Sequence, residues 1–152
     1  MRPGAWSEAG FLGPRESLLK VLRQDDEAVV SLSVTHAQLA DALEDVLKRG
    51  RPHRTVRTRT CGCTPRAHEG RELEIEIVSW LGFQNCPWPT CFSPSGIWGA
   101  NWDWVIRRPG SGQQVTGPGL IVHLIRAHNF YEGRRSPYRV DPVALANILG
   151  LV

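Results

Sequence analysis

The sequence predicts an α+β fold, with two antiparallel hairpins forming a small sheet packed against three to four short helices. Three observations carry that expectation. Helical and alternating segments are grouped along the chain rather than interleaved in strict β-α-β order. Two pairs of complementary strand patterns are each separated by a turn-rich connection. Two helix starts carry their own capping residues, Thr35 and Asp141.

The elements follow in order. Residues 1–14 are rich in Gly and Pro and are expected to be poorly ordered, leaving 15–152 as one α+β domain. Leu18, Leu19, Val21 and Leu22 stand at helical spacing, which predicts a short helix near 15–23. The β-rich run "EAVVSLSV", 27–34, reads as a strand. Thr35 with Gln38 forms a capping box for a helix over 36–50. Leu39, Leu43, Val46 and Leu47 make its apolar stripe, and Gly50 offers a left-handed stop.

Next, "RTVRTR" and "RELEIEIVSW" form the first strand pair. Leu73, Ile75 and Ile77 alternate with Glu72, Glu74 and Glu76, so one face is apolar and the other acidic. Antiparallel pairing across "CGCTPRAHEG" would set Arg57 and Arg59 against the glutamates and help to fix register. The stretch from 81 to 100 reads as turns. "NWDWVI" and "QQVTG" then form a second hairpin across "RPGSG". Pro118 suits the first turn of a helix over 118–130, and Asp141 with Pro142 opens a last one.

Composition narrows the class of protein. The 152-residue chain carries a net charge of +3 and no apolar run long enough for a membrane span. Its first residues lack a continuous apolar stretch and include Glu8 and Glu16, which argues against a secretory signal and predicts a cytoplasmic protein. Four cysteines in a reducing compartment favour metal or thiol chemistry over disulfides. Sixteen arginines against two lysines suit a GC-rich coding sequence as well as a nucleic-acid partner.

The chemistry concentrates in a subsite over 84–130. Cys86 and Cys91 flank a turn stiffened by Pro87 and Pro89, and His123 and His128 lie on the expected helix. Two cysteines and two histidines at four-residue gaps are a zinc-type ligand set. One geometric objection stands: residues five apart on a helix point about 140° apart, so the two rings converge only if the helix loosens after Ala127. The competing reading makes all four residues ordinary packing. A second metal or thiol site could use Cys61, Cys63 and His68.

Trp88 and Trp98, beside the cysteines, are expected to shield the site or to present a contact surface. Arg134, Arg135 and Arg139, with Tyr131 and Tyr138, could touch phosphate and bases. For a catalytic metal, the carboxylates near in sequence are Asp103, Glu132 and Asp141, yet no known hydrolase signature accompanies them. The expected function is a zinc-binding module for binding or assembly, without catalytic residues, its partner a protein or a nucleic acid. The alternatives are a metal-dependent hydrolase and an RNA- or DNA-binding module.

Overall fold

The computed structural model describes Met1 and residues 10–50, 59–61, 73–93 and 96–152. Among them the order is α1 (Leu18–Ser31), α2 (His36–Gly50), β1 (Arg59–Cys61), β2 (Glu74–Asn85), β3 (Phe92–Ser93), β4 (Gly96–Ile97), β5 (Gly99–Arg107), β6 (Gln114–Pro118), α3 (Ile121–His128) and α4 (Pro142–Leu149). The α+β class holds. The strands form a four-stranded antiparallel sheet in the order β1-β2-β5-β6, with β3-β4 as a separate two-stranded ribbon. The expected hairpins are therefore halves of one sheet, joined along β2 and β5.

The strand expected over 27–34 is helix through Ser31. Val21, Asp25 and Val29 are all buried on α1, at a spacing of four. The middle position of this stripe is a carboxylate, so the stripe does not read as apolar. Asp25 is wholly buried and takes a two-pronged hydrogen bond from Arg139, at 2.6 and 3.1 Å. Tertiary packing thus overrides the β preference of the two valines. Beyond the helix end, the chain turns left-handed at Ser33, with φ of 58°.

The capping box of α2 forms as expected. Gln38 N–H donates to Thr35 Oγ1 at 3.1 Å, and Thr35 N–H to Gln38 Oε1 at 2.8 Å. Gly50 has another role than a left-handed stop. It ends the helix where a Cβ would sit 2.6 Å from Ile75 Cγ2, so its missing side chain lets α2 lie close on β2.

The register corrects the ion pairing expected between the first two strands. Arg59 stands opposite Ile77, and Thr60 opposite Glu76. Glu76 is met instead by Arg107 of β5, at 2.9 Å. Arg57 lies outside the described residues. β2 also runs on past Trp80 into the stretch expected to be turns. Between the pairs Ser79↔Trp102 and Gln84↔Ala100, residues 80–83 face Asn101 alone, making a large bulge.

The helices gather on the sheet face that carries Ile75, Trp104 and Ile106. α2 packs against β2, α3 and α4, while α4 also touches β6 and α1. These residues form the core with Leu39, Leu43, Leu124, Ile125 and Leu145. Trp104 is fully buried, and its indole N–H reaches Pro118 O at 3.1 Å. Within residues 1–14, Phe11 and Leu12 are buried, and Gly133 N–H donates to Phe11 O at 2.8 Å. Among the described residues no helix is long and apolar enough to cross a membrane.

Candidate metal centre

The site is assembled at one end of the sheet. β2 ends with Asn85 paired to Gly99, the first residue of β5, and this sets Cys86 beside the start of β5. Cys86 N–H donates to Trp98 O at 2.7 Å, closing the loop that carries both cysteines. Inside it, Pro89–Cys91 forms one 3-10 turn, and Cys91 N–H donates to Trp88 O at 3.0 Å. The β3-β4 ribbon returns the chain to β5.

Helix α3 reaches the same end by way of β6. Pro118 closes β6 opposite Asp103 rather than opening the helix, so α3 begins at Ile121, three residues later than expected. Gly119 N–H donates to Trp102 O at 2.7 Å. A Cβ on Gly119 would sit 2.3 Å from the Trp102 ring, so only glycine permits this approach. The buried side of the helix is Ile121, Val122, Leu124 and Ile125. Arg126, on its outer side, binds Asp41 at 2.7 Å and Glu44 at 2.9 Å, tying α3 to α2.

The four candidate ligands meet. One donor atom from each of Cys86, Cys91, His123 and His128 lies within 4.8 Å of all the others. Cys91 Sγ is 3.3 Å from His123 Nε2 and 3.1 Å from His128 Nε2, while Cys86 Sγ is 3.5 Å from His128 Nε2. Metal–ligand bonds of 2.0–2.3 Å in a tetrahedron imply edges of about 3.3–3.8 Å. Two of the three sulfur–nitrogen contacts, at 3.3 and 3.5 Å, fall in that range, and the third, at 3.1 Å, is shorter.

The helix does not loosen before His128 to allow this. It stays regular through that residue and ends on Asn129, which is left-handed with φ of 52°. His128 is the last helical residue, and the two rings approach from different sides, 5.4 Å apart and 81° to each other. The 140° offset is absorbed by side-chain reach: each ring presents Nε2, its far nitrogen.

Each imidazole is also backed by an indole. Trp88 stacks on His128 with centroids 4.1 Å apart and planes 6° apart. Trp98 stacks on His123 at 4.9 Å and 8°. Trp88 is half-buried and makes a T-shaped contact with Phe130, whereas Trp98 is 64% exposed. Phe130 is a member of the site that sequence reasoning did not single out. The signal lay in its position two residues after His128, just beyond the helix end.

In the absence of a cation, burial favours the neutral forms of Cys86, His123 and His128. Burial pushes the Cys86 thiol up to about 11, and the neighbouring Cys91 adds to this, while the backbone N–H of Trp88 pulls the other way. Burial lowers the pKa of His123, helped by the charges of His128 and Arg126, and burial lowers that of His128. Neutral imidazole is the form that binds a metal. Such a set of two thiols and two neutral imidazoles could hold a metal ion.

The other candidates are elsewhere. Cys63 and His68 lie outside the described residues, and Cys61 is placed only as the last residue of β1. No carboxylate belongs to the four-residue cluster. Asp103 accepts a hydrogen bond from Trp80 Nε1 at 2.7 Å, and Asp141 caps α4 through Val143 and Ala144 N–H groups. Glu132, fully buried, accepts from Ser136 Oγ at 2.5 Å. Arg134 hydrogen-bonds Gln24 at 3.1 Å and lies 3.9 Å from Asp25, whereas Arg135 is exposed.

No protein-family model matches the chain, and no curated protein or solved structure is significantly similar to it.

Proposed function

We propose that the chain is a zinc-binding module in which Cys86, Cys91, His123 and His128 hold a structural ion, and that it serves binding or assembly rather than catalysis. The observation that carries this reading is the convergence of four donor atoms within 4.8 Å, drawn from a turn and a helix 32 or more residues apart.

The donor set favours zinc, a borderline-soft ion that takes mixed sulfur and nitrogen ligands. Four protein ligands complete a tetrahedron and leave no position for a reacting water, so the hydrolase alternative loses its nucleophile. Tryptophans stacked on both imidazoles give the centre a hydrophobic shell. A protein partner is favoured over a nucleic acid. Two of the arginines that would have met phosphate, Arg134 and Arg139, are engaged with Gln24 and Asp25.

Metal analysis of protein purified in reducing buffer without chelator tests the reading. One equivalent of zinc is expected in the wild type and a small fraction of that in Cys86→Ser and His123→Ala. A wild type with no metal that also fails to take up added zinc would end the proposal.

A further inference from the structure

A second feature lies away from the metal ligands, where β2 bulges. A cavity of about 310 Å³ opens there, walled by Trp80, Phe83, Trp102 and Tyr138, with Gln84, Asn101 and Asp103 as polar groups. The bulge makes it: residues 80–83 face Asn101 alone, so the strand arches outward and leaves Trp80 56% and Phe83 62% exposed. Large apolar side chains exposed together at a concavity are characteristic of binding sites.

The charge of the cavity narrows its ligand. No Lys, Arg or His lines it among the described residues. Arg139, next to Tyr138 in the chain, is turned onto Asp25. Asp103 takes one hydrogen bond, on Oδ2 from Trp80, and Oδ1 has no donor among the described residues. Burial makes its ionised form costly. Asp103 is the one carboxylic acid among the described lining residues. A cation in the cavity would compensate its carboxylate, an anion would meet repulsion, and a neutral ligand would gain nothing from the charge.

The geometry points to a binding site for an alkylated ammonium head group, held against the aromatic walls and the carboxylate of Asp103. Aromatic faces attract such cations through their quadrupole, and methyl groups on nitrogen gain from apolar walls that a strongly hydrated small ion would not. A volume near the lower limit for ligand pockets suits a head group rather than a nucleotide or cofactor. The head group could belong to a free quaternary amine or to a methylated lysine side chain.

The test uses the full chain as purified, followed by the indole N–H resonances of Trp80 and Trp102 in nitrogen-15 NMR at constant ionic strength. Tetramethylammonium chloride is titrated against 3,3-dimethylbutanol, a neutral molecule of similar bulk, and against sodium acetate. The cation should give saturable shifts about tenfold tighter than the neutral molecule, and acetate none. Asp103→Asn should remove that preference while leaving 3,3-dimethylbutanol binding unchanged. Phe83→Ala, at an exposed ring, should weaken cation binding without lowering the melting temperature. A shift that never saturates, equal affinity for the neutral molecule, or an unchanged preference in Asp103→Asn would each overturn the proposal. Choline and a trimethyllysine peptide then separate the sources: equal affinity assigns the head group alone, and tighter peptide binding assigns a lysine side chain.

Discussion

Trp88 lies flat on His128, with centroids 4.1 Å apart and planes 6° apart, and makes a T-shaped contact with Phe130 at 5.1 Å. The indole therefore covers one side of a candidate ligand and is itself held in place. Trp88→Ala should leave one equivalent of zinc bound, because the four donor atoms remain. It should release the metal faster. Loss of an aromatic contact is worth about 1 kcal/mol, or roughly fivefold in rate. Transfer of zinc to a chromophoric chelator measures it. A release rate equal to that of the wild type would remove the covering role.

Metal binding should release protons. The Cys86 thiol is pushed up to about 11, so near neutral pH it is protonated in the metal-free protein. Zinc takes the thiolate, and the proton must leave. The apparent affinity should therefore rise with pH through the neutral range and fall as the solution is acidified. Calorimetric titration in buffers of different ionisation enthalpy counts the protons released. Cys86→Ser should bind more weakly and release at least one fewer; a proton count unchanged by that substitution would contradict the assignment of Cys86 as a ligand.

The pair of Asp25 and Arg139 makes a separate prediction about the fold. Asp25 is fully buried and Arg139 is 11% exposed, and two short hydrogen bonds join them. Removing one partner leaves a buried charge without compensation, at a cost of about 3–5 kcal/mol. Asp25→Ala should lower stability by that order in urea unfolding. Asp25→Leu combined with Arg139→Met should recover much of it, because apolar replacement of a buried pair is often close to neutral. Equal losses in the single and double variants would show that packing of α1, rather than charge, dominates.

This pair also shows where the sequence was legible. The starts of α2 and α4 could be read because their signals are local: the Thr35–Gln38 box and Asp141 before Pro142 act within three residues. The full length of α1 could not, because its buried face includes Asp25, whose partner stands 114 residues away. Register between β1 and β2 depends on a long connection, and Arg59 falls opposite Ile77 rather than a glutamate. The four metal-type residues could be named from their spacing. Their convergence could not be derived, because it follows from the strand order β2-β5-β6, which brings the end of β2 and the start of α3 to one place. The cavity at the bulge escaped notice because "WLGF" reads as the beginning of a turn, while its other walls come from β5 and Tyr138.

Glu132 predicts an unusual dependence of stability on pH. It is fully buried, with φ of 66°, and burial pushes its carboxyl from 4.5 up to about 7, with the charge of Asp103 adding to the shift. The hydrogen bond from Ser136 and the nearby Gln84 side chain only partly offset this. Because the folded pKa lies above the unfolded one, the folded state holds more protons between these two values. Stability must then fall as pH rises from about 4.5 to about 7, and level off above. Acid release of the proposed zinc would act in the opposite direction, so the comparison that isolates Glu132 is wild type minus Glu132→Gln at each pH. The amide cannot ionise. The variant should gain on the wild type through this window and be more stable at pH 8, by up to on the order of 3 kcal/mol. Urea unfolding of both proteins across the range measures the difference, and a flat difference curve would show that Glu132 keeps an ordinary pKa in the folded state.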